Sequence, residues 1–147
     1  MKKTALFFIA IFLFISAFAA ENPKHILLTT QYENGVAALD DIAGRILPEA
    51  GIFPEHINQR YFLIKTDQVP LNKLTGYAVY IIRIFRDVNN VVYVDVSGSY
   101  VVVGYNEKTP YQMDLNEWAQ KGSMSTKAWN NLEWLAGLIP HTDKHYK

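Results

Sequence analysis

Four histidines, fourteen acidic residues and no cysteine bound the side-chain chemistry open to this chain. Without cysteine there is no thiolate nucleophile, thiolate metal ligand, disulfide or lipid attachment at a processed cysteine. His141 and His145 lie four residues apart with Asp143 between them, a spacing that on a helix would align two imidazoles for a divalent cation. Pro140 precedes them and the surrounding "HTDKHYK" is polar, so 141–147 reads as a solvated tail. No metal site is assigned, and metal binding by this tail is the least favoured function. His25 is too far from either amino terminus that cleavage of an apolar leader in the first twenty residues would expose for a terminal copper site, and His56 beside Glu55 reads as an exposed loop residue.

Nucleophilic catalysis has little support. The chain has no G-x-S-x-G elbow, and in "GSMSTK" Lys127 follows Ser125 by two residues and Ser123 by four, missing the S-x-x-K spacing. Ser97 and Ser99 lie near Asp95, but no histidine is close in sequence. Asp40 and Asp41 are adjacent, hence about 100° apart on a helix, and do not form an acid–base pair; Asp41 and Arg45 suit an i,i+4 ion pair instead. No glycine-rich phosphate loop is present, and no cofactor or catalytic residue is assigned.

The remaining chemical constellation is Arg83, Phe85, Tyr93, Asp95 and Tyr100, in a valine- and tyrosine-rich region running to about residue 106. Gly98-Ser99 suits a type II′ hairpin turn, because glycine alone takes its positive φ without steric cost. That turn collects Val92, Val94, Val96, Val101, Val103 and Tyr105 on one apolar face. For the turn before it, loops of two or four residues would bury Arg83 among these valines. A three-residue loop, Val88 to Asn90, sets Ile82 and Ile84 opposite Val96 and Val94, and Arg83 opposite Asp95. Asn90 then takes the left-handed conformation. The expected meander is 78–87, 91–97 and 100–106. Its second face carries the five candidate residues, either beneath Trp118, Trp129, Trp134 or the first helix, or presented to a partner.

Helices must hold this sheet. "NGVAALDDIAGRILP" places Val36, Leu39, Ile42, Ala43 and Ile46 at helical spacing, with Asn34 as N-cap and Pro48 against continuation. "HILLTTQYE" before it reads equally as strand or helix, "AGIFPEHINQ" and "DQVPLNKLTG" as loops, and "RYFLIKT" as a short strand. Asp114 and Glu117 resemble a capping box for one terminal helix ending at Gly122, and Ser125 caps a second that buries Trp129, Leu132, Leu135 and Ala136. The expected fold is α+β: an N-terminal amphipathic helix packed on a three- to four-stranded antiparallel meander, followed by a C-terminal αα-hairpin.

"MKKTALFFIAIFLFISAFAA" has the positive start, apolar run and small-x-small ending of a signal peptide cleaved after Ala19. Its apolar run falls short of the roughly 20 residues of a bilayer-spanning helix. Residues 20–140 then form one domain. Cleavage removes Lys2 and Lys3 and leaves a charge of about −2, without the basic clusters that bind nucleic acid or anionic membranes. Three or four strands cannot close a membrane barrel. "VVYVDV" and "YVVVGY" make the unfolded chain prone to β-aggregation. The composition therefore points to an exported periplasmic or extracellular protein, non-catalytic, that binds a protein or small ligand through Arg83, Phe85, Tyr93, Asp95 and Tyr100. The alternative is a hydrolase whose serine and histidine meet from distant segments.

Overall fold

The β-branched and aromatic run between residues 76 and 102 builds two eleven-residue strands, β5 (Gly76–Arg86) and β6 (Val92–Val102), which form the middle of the molecule. The computed structural model describes residues 23–71, 76–102, 111–115 and 123–147. The leader, residues 103–106 of the expected third strand, and residues 116–122 of the expected first terminal helix lie outside them.

Around this pair stand β1 (Ile26–Thr29), β2 (Pro54–Asn58), β3 (Leu63–Thr66), β4 (Val69–Pro70), β7 (Tyr111–Asp114) and β8 (Asp143–Tyr146). They form one antiparallel sheet in the order β2-β3-β5-β6-β1-β8, with β4 continuing beside β5 and β7 beside β6. Two helices are described. The first, α1, is continuous over residues 35–49: Gly35–Asp41, a π turn Ile42–Ile46, and Leu47–Glu49. The second, α2, is Met124–Leu138.

Among the described residues the fold is therefore mostly antiparallel sheet with two helices, and this overturns the expected helix, meander and αα-hairpin. The deciding error concerns Gly98. A type II′ turn requires positive φ there, yet among the described glycines only Gly51 has one. Gly98 instead lies inside β6, opposite Tyr80. A β-carbon at Gly98 would sit 2.6 Å from the Val79 carbonyl oxygen and 3.0 Å from the Tyr80 ring. Glycine is present because a tyrosine crosses over it, a packing role that sequence position alone does not distinguish from a turn.

The preceding turn follows the sequence reading. Asp87 N–H bonds the Val91 carbonyl at 3.1 Å, enclosing Val88 to Asn90, and Asn90 has φ 64°. The register Ile82↔Val96, Arg83↔Asp95 and Ile84↔Val94 results.

α1 also starts as expected: Asn34 Oδ1 accepts from Ala37 N–H at 2.9 Å. Pro48, whose ring would clash with the carbonyl four residues back, is accommodated inside the helix. The Leu47 N–H bonds Ile42, five residues back, and that widened turn relieves the clash. Leu39, Ile42 and Ile46 are buried, but Val36 is 54% exposed because Ala38 and Leu47 complete the buried stripe.

Asp114 lies in β7. Ser123, not Ser125, caps α2 by accepting from Thr126 N–H at 3.2 Å. The supposed loop 54–58 is edge strand β2, because it finds β3 to pair with. The supposed loose tail is β8, paired with β1 at Ile26↔Tyr146 and Leu28↔Lys144. Tyr146 packs its ring on Trp129 and donates to Glu133 Oε1 at 2.6 Å, anchoring that edge to α2.

Both helices cover one face. Ile26, Leu28, Ala78, Tyr80, Ile82, Ile84, Val92, Val94 and Val96 share a core with Ala38, Leu39, Ile42, Trp129, Leu132 and Leu135. Tyr80 donates through this core to the Ala128 carbonyl at 3.2 Å.

Candidate functional site

On the opposite sheet face no described helix lies. Its rows follow from the β5–β6 register: Phe85↔Tyr93, Arg83↔Asp95, Ile81↔Ser97 and Val79↔Ser99. β1 adds Leu27 beside Asp95, and β3 adds Leu63 beside Arg83. Four of the five expected site residues, Arg83, Phe85, Tyr93 and Asp95, therefore share one surface. Tyr100 does not. With no turn at Gly98, its parity places it opposite Ala78 on the helix-covered face, where it packs against the core and donates to Met113 Sδ at 3.3 Å.

The aromatic row is a stacked pair. The Phe85 and Tyr93 rings have centroids 5.5 Å apart and planes 17° apart, and Phe85 remains 46% exposed. Cross-strand aromatic pairs of this kind contribute roughly 0.2–1 kcal/mol to a sheet.

The next row departs from the simple cross-strand ion pair. Arg83 and Asp95 are register partners, but Asp95 takes its ionic contact from His25, whose Nδ1 lies 3.1 Å from Oδ2 and 3.3 Å from Oδ1. The Asp95 side chain is 16% exposed and the imidazole 41%. His25 reaches it because β1 pairs with β6, so the residue just before Ile26 stands over Asp95. Among the described residues Arg83 forms no ion pair and is left exposed at the surface.

Beyond this row the face sinks into a polar depression of about 250 Å³. Lys24, His25, Arg83, Ser97, Ser99 and Asp114 contribute to its lining, over Ile81 and Leu115. Ser99 Oγ accepts from Gln112 Nε2 at 3.1 Å, and Ser97 Oγ donates to the Ile81 carbonyl at 3.5 Å, the long limit for such a bond. Sequence reasoning did not find Lys24, His25, Gln112 or Asp114. They come from the segment before β1 and from β7, which meet β6 only through strand pairing, and no local spacing announces them.

The other titratable clusters have structural partners. Asp41 receives Arg45 Nε at 2.6 Å, Arg45 Nη2 at 2.8 Å and the Tyr32 hydroxyl at 2.6 Å, as the i,i+4 spacing of Asp41 and Arg45 led one to expect. The Arg45 bonds hold the Asp41 carboxyl below its usual range. Burial, then the bond to Asp41, pushes the Tyr32 phenol above its own. His56 is exposed on edge strand β2, His141 Nδ1 contacts the Ile139 carbonyl, and His145 pairs with Asp143 at 2.8 Å. Residues 143–146 are strand, so the helical alignment of His141 with His145 is not formed. Among the described residues, no group of three or more acidic or histidine side chains is gathered to hold a metal.

Neither a protein-family model nor a curated protein sequence matches this chain.

Proposed function

We propose that this chain is an exported, non-catalytic binding protein whose contact surface is the sheet face opposite the helices, centred on Arg83, Phe85, Tyr93 and Asp95. One observation carries the reading: among the described residues, both helices pack on the valine face, while the other face holds a stacked aromatic pair, an arginine without an ion-pair partner and a polar depression. A surface with apolar, cationic and hydrogen-bonding groups in adjacent rows suits specific contact with a protein or small ligand. The leader reading supports export, and the mature amino terminus of chain collected from an expressing host tests it. Recovery of the intact leader on cell-retained protein would refute it. For the surface, immobilised mature protein is passed over its native envelope extract beside Arg83→Glu and Tyr93→Ala variants. Retention of the same components by all three would remove the face from consideration.

A second reading, hydrolysis of an ester or amide, is supported by the pair that sequence reasoning lacked. Asp95 engages His25 Nδ1, as an orienting carboxylate does, and His25 lines a depression together with Ser97 and Ser99. Among the described residues neither serine hydrogen-bonds the imidazole, which is why binding is preferred. Turnover of a nitrophenyl ester by wild type, abolished by both His25→Ala and either Ser97→Ala or Ser99→Ala, would reverse that preference. Equal rates in all variants would end the hydrolase reading.

A further inference from the structure

A second recess opens at the end of the sheet where α1 begins, separate from the polar depression. Val36, Phe62 and Ile84 surround about 300 Å³ there, with Gly35, Phe85 and Arg86 at its margin. Val36 is 54% exposed and Phe62 only partly buried, so apolar side chains face water around a concave space. Such a surface is favourable to cover.

The wall is held in place. Phe62 has φ 47°, a left-handed conformation rare for a bulky side chain. Its carbonyl accepts from Ile84 N–H at 2.9 Å, and its ring lies against Gly35, where an added β-carbon would come within 3.2 Å. A strained residue kept by its surroundings at the edge of a recess is the kind of feature that ligand sites retain.

The rim carries one cation. Arg86 Nη2 reaches only the Glu33 carbonyl, at 3.4 Å, and no carboxylate pairs with it among the described residues. The neighbouring Asp87 is engaged elsewhere: Oδ1 accepts from the Asn89 and Val91 N–H groups at 2.9 Å, and Oδ2 from Asn89 Nδ2 at 3.4 Å. An apolar recess with a single guanidinium at its mouth complements an apolar chain ending in a single carboxylate. Its volume lies at the lower end of the usual range for ligand pockets, which fits a short chain better than a long one.

The geometry points to a binding site for a medium-chain fatty carboxylate, its chain among Val36, Phe62 and Ile84 and its carboxylate on Arg86. Calorimetric titration of the chain with decanoate below its micellar concentration, beside decanol and acetate, tests this. Decanoate binds, decanol binds at least about tenfold more weakly because it lacks the charge-assisted bond, and acetate does not bind. Arg86→Gln lowers decanoate to the level of decanol and leaves decanol unchanged. Val36→Trp, at an exposed position that tolerates a larger ring, fills the recess and weakens both. Arg83→Glu, on the other site, leaves decanoate affinity as it was. Thermal unfolding of each variant establishes that it is folded. No heat with decanoate, equal affinity for decanoate and decanol, or undiminished binding by folded Val36→Trp would overturn the assignment.

Discussion

At the scale of single residues, two glycines make opposite demands. Gly98 faces Tyr80, and a β-carbon there would collide with the Val79 backbone carbonyl, whereas one at Gly44 meets nothing within 4 Å. Gly98→Val is expected to destabilise the fold by about 1–3 kcal/mol through overpacking. Gly44→Ala is expected to stabilise it by roughly 0.5–1 kcal/mol through reduced backbone entropy of the unfolded chain. Urea midpoints of both variants check this, and a neutral Gly98→Val would count against the tight approach of Val79 and Tyr80 to this position. The contrast also shows what was legible. Asn34 as cap, the Asp41–Arg45 pair and left-handed Asn90 depend on neighbours within four residues, and the sequence displays them. Gly98 depends on a tyrosine from the adjacent strand, and Asp95 on a histidine seventy residues away. Their chemistry was visible as residue type but not as partnership.

At the scale of elements, the edges were the hardest to read. Both β2 and β8 are short and rich in polar side chains, because an edge strand has water along one side and needs no apolar run. Such strands look like loop or tail until their partners are known. The consequence is largest for β8, whose Tyr146 ties β1 to α2. A chain ending at Pro140 loses the β1–β8 pairing and the Trp129–Tyr146 contact. It is expected to be less stable by about 2–4 kcal/mol, given the loss of a ring packed on buried Trp129 and of the strand hydrogen bonds. Comparison of denaturant midpoints tests this, and an unchanged midpoint would return the segment to the status of a tail. The terminal αα-hairpin failed for a related reason: "MDLNEW" has capping chemistry, but Tyr111–Asp114 finds the open side of β6 and pairs there.

At the scale of the whole molecule, stability should decline at both ends of the pH range. Arg45 depresses the Asp41 carboxyl, so its contribution is present above the unfolded value of about 4 and is lost as pH falls through the lower folded value. Burial raises the Tyr80 phenol, so its contribution is complete below the unfolded value of about 10 and is lost as pH rises toward the higher folded one. Thermal midpoints across pH are expected to fall in both directions. Arg45→Gln should flatten the acidic decline and Tyr80→Phe the alkaline one. Unaltered limbs in these variants would show that other groups govern them. The arrangement of β1 has a further consequence, for the order of folding. Its neighbours are residues 93–96 on one side and 143–146 on the other, and His25 and Lys147 exchange hydrogen bonds of 2.7 and 2.9 Å. A strand near the start of the domain thus waits for partners synthesised long after it, and loop closure over such separations slows folding. Until residues 93–96 arrive Ile26, Leu27 and Leu28 have no strand to pair with, and β8, which joins only β1, can be added only after it.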